Sequence, residues 1–148
     1  EEEGHDRWAL ADLDALGVPE HEVRVSYSCP AVAAYNTWTR YVATGPFQIA
    51  FLGVAYTLES FAVKRAGQGA TAMRQAKLIP NIDRAVTFLA GHGEADIGHV
   101  AELEEILERV TCPAQQDAVR TSAAATRYMY AGLCASLENL SSPLRQAA

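Results

Sequence analysis

Four histidines are spread over 148 residues, and two of them stand in the run His92-Gly93-Glu94-Ala95-Asp96-Ile97-Gly98-His99. On a helix, His92, Asp96 and His99 are separated by four and then three residues and fall along one face. Neutral imidazole nitrogen and ionised carboxylate oxygen suit iron, manganese or zinc, so the stripe is a candidate metal half-site. A solvated polar face is the alternative reading. Gly91, Gly93 and Gly98 weigh against it, because each glycine in a helix costs roughly 1 kcal/mol relative to alanine. Close approach to a neighbouring helix or to a bound group is the usual compensation.

Glu59 is the only charged residue between Arg40 and Lys64. Leu52, Ala55, Tyr56, Ala62 and Val63 share its helical face, which turns its carboxylate into the core, where a lone charge is costly. A metal is one partner for it; Arg40, Lys64 or a tyrosine hydroxyl is another. Near the start of the chain, Glu2 precedes His5 by three residues and Glu1 precedes it by four, so either pair shares a face. A carboxylate and a histidine three apart on an inward helix face is how helical bundles build two-metal carboxylate sites. An acidic first turn also complements the helix dipole with no metal present. Together Glu2, His5, Glu59, His92, Asp96 and His99 make three carboxylates and three histidines, about what a pair of irons needs with positions left open for oxygen. His21, beside Pro19, is left out and reads as an exposed loop residue.

These ligands need helices to carry them. Trp8, Ala9, Leu13 and Leu16 recur at helical spacing, and Gly17-Val18-Pro19 stops the pattern, which predicts a helix from the start to about residue 16 and a loop over 18–28. Pro30 opens a second helix to about Ala43, closed by Gly45-Pro46. Phe47 to about Arg65 reads as a third, broken by Gly67 and Gly69, with short helices following over 70–78 and 81–89. Another spans about Gly91 to Val110, and the last runs from about Ala114 to Leu140, ended by Ser141-Ser142-Pro143. No segment alternates with period two, so no sheet is expected. The expectation is a single all-α domain, a bundle of six to seven helices whose interior holds the site.

Composition narrows the function further. Twelve basic and eighteen acidic residues give a net charge of −6 without basic clusters, which disfavours nucleic acid. The longest uncharged stretch, Tyr41 to Leu58, contains Gly45, Pro46, Gln48 and Gly53 and suits a buried helix better than a membrane span. Cys29, Cys112 and Cys134 form neither a disulfide framework nor a thiolate zinc site, pointing to a reducing cytoplasm. The chain opens on Glu1-Glu2-Glu3 without a methionine, so a fragment, or the ordered part, of a longer protein is expected.

The chain resembles the haem-oxygenase-like diiron oxidases, the iron-containing redox enzymes. The likeness rests on Glu1 to Trp8 followed by Asp12-Leu13-Asp14-Ala15-Leu16-Gly17, on Leu52 to Glu59, and on His92 to His99. The third block is the most specific, because the family's late core helix is similar in carrying His, Asp four later and His three later still. The resemblance implies a haem-oxygenase-like fold that binds two iron ions directly, without haem, and activates dioxygen. The reactions it implies are oxidation of amine nitrogen, nitrile formation, and oxidative carbon–carbon cleavage of amino acids or fatty acids. It makes Glu59 the bridging carboxylate, takes His92, Asp96 and His99 from the late helix and His5 from the early one, and adds no catalytic residue beyond the ligands. Family members usually carry further helices before the block that begins here at Glu1. In some branches the early acidic ligand lies seven residues before the histidine, ahead of Glu1, which would place Glu2 outside the ligand set. The implied partners are a small-molecule substrate and dioxygen, and the reading admits an external electron donor and a homodimer.

Tyr35, Tyr56, Tyr128 and Tyr130 are candidate cavity-lining residues, with ordinary core packing as the alternative. Arg40 or Arg127 could pair with a substrate carboxylate or form a surface ion pair. Two rival functions remain: a cofactor-free, thiaminase-like enzyme of the same architecture using Cys29 or Cys134, and a non-enzymatic helical interaction domain. Neither cysteine has a histidine nearby in sequence to activate it, and both read as small buried hydrophobes.

Overall fold

A computed structural model of the chain describes residues 4–145 and, within them, all side chains but those of 94–95 and 138–145. Among the described residues six α-helices form: α1 (His5–Ala15), α2 (Glu20–Val25), α3 (Pro30–Thr44), α4 (Phe51–Ala76), α5 (Thr87–Glu108) and α6 (Pro113–Arg145). Single 3-10 turns precede α4 at Gln48–Ala50 and α5 at Ile82–Arg84. Among the described residues there is no strand, so the all-α expectation holds.

The helix ends follow local chemistry. Gly17 adopts φ +85°, and the amides of Gly17 and Val18 bond back to the carbonyls of Asp14 and Leu13 at 2.9 Å each, satisfying the last carbonyls of α1. Pro30 and Pro113 each occupy a first helical position, where a missing N–H costs nothing. Gly45, ahead of Pro46, is extended and ends α3.

Four boundaries differ from expectation. The stretch read as a loop contains α2, a short helix with an acidic start and Arg24 near its end, where Arg24 and Glu20 pair one turn apart. The helix expected to break at Gly67 and Gly69 continues unbroken to Ala76 and ends before Lys77, at φ +49°. Conversely, the helix expected over 81–89 is a 3-10 turn entered through Asn81 at φ +61°, and α5 begins only at Thr87. Finally, α6 runs through Ser141-Ser142-Pro143 to Arg145; the proline forfeits one backbone hydrogen bond with only two helical residues left.

The chain divides into two compact units, Glu1–Tyr27 with Leu58–Glu102, and Ser28–Thr57 with Leu103–Ala148. The first is centred on Ala70, Ile82 and Val86, with Leu89 and Ala90 packed against them. In it α4 and α5 approach backbone to backbone: a Cβ added to Gly93 would lie 2.9 Å from the Gly67 amide nitrogen and 3.2 Å from its Cα. In the second unit α3 packs on α6, and the Trp38 indole N–H donates to the fully buried Thr126 hydroxyl at 3.1 Å. Gly53 lets α4 meet α6 there, since a Cβ would fall 2.3 Å from the Val119 carbonyl oxygen.

Candidate metal centre

The described candidate ligands all belong to the first unit: His5 on α1, Glu59 on α4, and His92, Asp96 and His99 on α5. Glu2 lies outside the described residues. The seating of α5 comes from Asp12, a side chain to which the sequence reading gave no role. Asp12, 8% exposed, accepts hydrogen bonds from the amides of Thr87 at 3.0 Å and Phe88 at 2.9 Å and from the Thr87 hydroxyl. These amides are the first of α5 and have no partner within their own helix, so α1 caps α5 across a gap of 75 residues. A buried acid on the same face as His5 and Trp8, facing a threonine at a helix start, was the signal that would have found it.

Two groups of candidate ligands form along α5. In the first, the Nδ1 of His99 lies 3.8 Å from Glu59 Oε2 and 3.7 Å from Asp96 Oδ1. Side-chain exposures of 15%, 20% and 1% for His99, Glu59 and Asp96 put this convergence largely out of water. The separations are longer than hydrogen bonds. They match donors sharing an ion, since two ligands each about 2.1 Å from one divalent first-row metal stand roughly 3 to 4 Å apart.

In the second group, one turn back along α5, the His92 ring meets His5 edge-on with centroids 4.9 Å apart. His5 stacks on Trp8 at 4.2 Å and 20°, and Phe88 lies 4.3 Å from His92 on another side. His92 Nδ1 is 2.9 Å from the Phe88 carbonyl oxygen. A carbonyl only accepts, so Nδ1 carries the hydrogen and the ring's lone pair sits on Nε2, the tautomer a metal-binding histidine needs.

Among the described residues, no three His, Cys, Asp or Glu side chains are drawn tightly enough to form a finished metal cage. Chemically the set nevertheless fits iron: two carboxylates and a histidine around one space, with the His92 imidazole of α5 about 6 Å before Asp96 along the helix axis and the His5 imidazole of α1 beside it. Of the three glycines, two have the expected reason: Gly93 admits α4, and a Cβ on Gly91 would lie 2.6 Å from Cζ3 of Trp8. Gly98 has open space around it and has no such reason.

The other candidates are placed as follows. His21 is exposed, as expected, but on α2. Lys64 and Arg40, proposed as ion partners of Glu59, are exposed, as is Arg127. Within the second unit, Tyr56 donates to Glu104 Oε1 at 3.0 Å, and Tyr35 meets Tyr130 edge to face at 6.2 Å. Burial pushes both phenols above their ordinary range. Tyr128 is 81% exposed, which removes it as a cavity wall. All three cysteines are free; Cys134 is exposed and Cys29 half-buried, so neither is the buried hydrophobe expected.

An all-α chain in which carboxylates and a histidine converge has the make-up of the helical proteins that build sites from side chains on facing helices. This chain is a member of the iron-containing redox enzyme family, whose sequence profile matches residues 1–132, and its fold class is that of the haem-oxygenase-like helical proteins. Membership marks it as a redox enzyme. No curated protein and no solved structure matches the chain. Among the described residues, no helix is long and apolar enough to cross a membrane.

Proposed function

We propose that this chain is a non-haem diiron oxidase or oxygenase that uses dioxygen to oxidise a small molecule, such as an amino acid, amine or fatty acid, by N-oxygenation or oxidative carbon–carbon cleavage. Supporting it is the convergence of Glu59, Asp96 and His99 one helical turn from the paired His5 and His92, in a chain of an iron-containing redox family. Glu59 and Asp96 supply carboxylate oxygens, His99 presents Nδ1, and His92 presents Nε2 while the Phe88 carbonyl holds its other nitrogen's hydrogen. Glu59, Asp96 and His99 would hold an ion directly through their own side chains. These residues would hold iron, which would supply the redox chemistry toward dioxygen that side chains do not perform. The low exposure of Asp96 and His99 keeps water from the reacting position. An external electron donor completes the turnover, and three free cysteines accord with a reducing compartment such as the cytoplasm.

Anaerobic reconstitution of the whole chain with ferrous iron, followed by metal analysis, tests this. About two irons per chain are expected, and admission of oxygen should give a transient visible absorbance. His99→Ala and Glu59→Gln should each lower the iron count. Binding of well under one iron per chain, unchanged by His99→Ala, would sink the proposal.

A further inference from the structure

The inward face of α1 is read in order by the first turns of α5. Asp12 meets Thr87 and Phe88, Trp8 meets Gly91, and His5 meets His92. Trp8 is the centre of this strip. Its indole lies nearly parallel to the His5 ring at 4.2 Å and 20°, and stands edge-on to the His92 ring at 5.7 Å and 79°.

Rotation of an imidazole about its terminal torsion is soft and broad, so a histidine acquires a defined plane only from what touches it. His92 has the Phe88 carbonyl to fix its Nδ1. His5, in the first turn of α1, has the flat face of Trp8. The indole in turn needs a glycine beneath it, because a Cβ at position 91 would lie 2.6 Å from Cζ3 and 3.0 Å from Cε3.

We propose that Trp8, seated on Gly91, is the positioning residue that holds His5 and His92 as a metal-binding pair, and that the metal position served by these two histidines depends on it while the Glu59–Asp96–His99 position does not. This rests on the metal-site reading above. Planarity is what the position requires, so phenylalanine substitutes for Trp8 and leucine does not. Simple core filling predicts only a graded difference in stability, since leucine and phenylalanine both leave part of the indole's volume empty, and no loss of one bound ion with leucine alone.

The test uses anaerobic cobalt(II), in a Trp38→Phe background that leaves Trp8 as the only tryptophan. Cobalt bound beside the indole quenches its emission, which gives a readout independent of turnover. The background protein should bind about two cobalt ions per chain, one of them quenching Trp8. Trp8→Leu should lower the count to about one at unchanged helical circular dichroism, while Trp8→Phe keeps both. Gly91→Ala should also lose one ion, and with it the quenching, although Trp8 is still present; alanine favours the helix, so this loss is not a failure to fold. Two ions bound with undiminished affinity in both Trp8→Leu and Gly91→Ala would overturn the inference, as would loss of all metal in either. A background protein that binds no cobalt would overturn the metal-site reading itself, and the inference with it.

Discussion

At the residue scale, Asp12 shows how a side chain outside the candidate set decides where the candidate ligands stand. Its carboxylate takes three hydrogen bonds from Thr87 and Phe88 while 8% exposed. Asp12→Ala removes the acceptor and leaves two helix-end amides with no bond, which should cost about 2–3 kcal/mol in urea denaturation. Asp12→Asn keeps one acceptor oxygen and should cost less. An Asp12→Ala variant as stable as the parent would show that the cap does not hold α5. The candidate ligands were more legible than their support. His92, Asp96 and His99 were readable because spacings of four and three on one helix fix their relative directions. Asp12 was not, because its partners are 75 residues away.

At the element scale, glycine separates the two meanings that a helix can give it. Gly93 lies where a Cβ would meet the backbone of α4, and Gly98 where a Cβ would meet nothing. Gly98→Ala should therefore stabilise the chain by roughly 0.5–1 kcal/mol through backbone entropy alone. Gly93→Ala should destabilise it, since the atom opposite is backbone that cannot turn away. Parallel thermal melts of the two variants give opposite signs on this account; a Gly93→Ala protein that melts higher than its parent would refute the close approach. The same contact explains why α4 does not break at Gly67. Glycine's low helix propensity predicts an end there, but α5 packs against that backbone and compensates for it. The missed helix α2 is the opposite case, six residues whose polar sequence carries too little periodicity to stand out from a loop.

At the scale of the whole molecule, two half-buried phenols couple the chain's stability to alkaline pH. Burial raises Tyr35 and Tyr130 above their ordinary range, and Thr39 offsets part of the effect at Tyr35. A group whose folded value is raised contributes stability that is fully present below its unfolded value, about 10 for tyrosine, and is lost as pH rises through the folded value. The melting temperature should therefore fall as pH rises above about 10. The Tyr35→Phe/Tyr130→Phe double variant should fall less steeply; equal slopes would mean the two phenols do not carry the effect. The sequence indicated helical packing around these tyrosines but did not pair them. That pairing follows from α3 and α6 lying against each other.

The sequence by itself determined the all-α class, the main helices and the His92–Asp96–His99 stripe on α5, because these depend on periodicity and on residues a few positions apart. It also carried the family, since the matched profile runs over residues 1–132. Tertiary structure decided what lies opposite the stripe: Glu59 beside His99, His5 beside His92, Gly67 beside Gly93, and Asp12 on the first turn of α5. Each of these joins segments at least 26 residues apart (Gly67 to Gly93, the shortest). Which helices become neighbours is settled by burial and close packing summed over whole faces, and no local spacing encodes that choice.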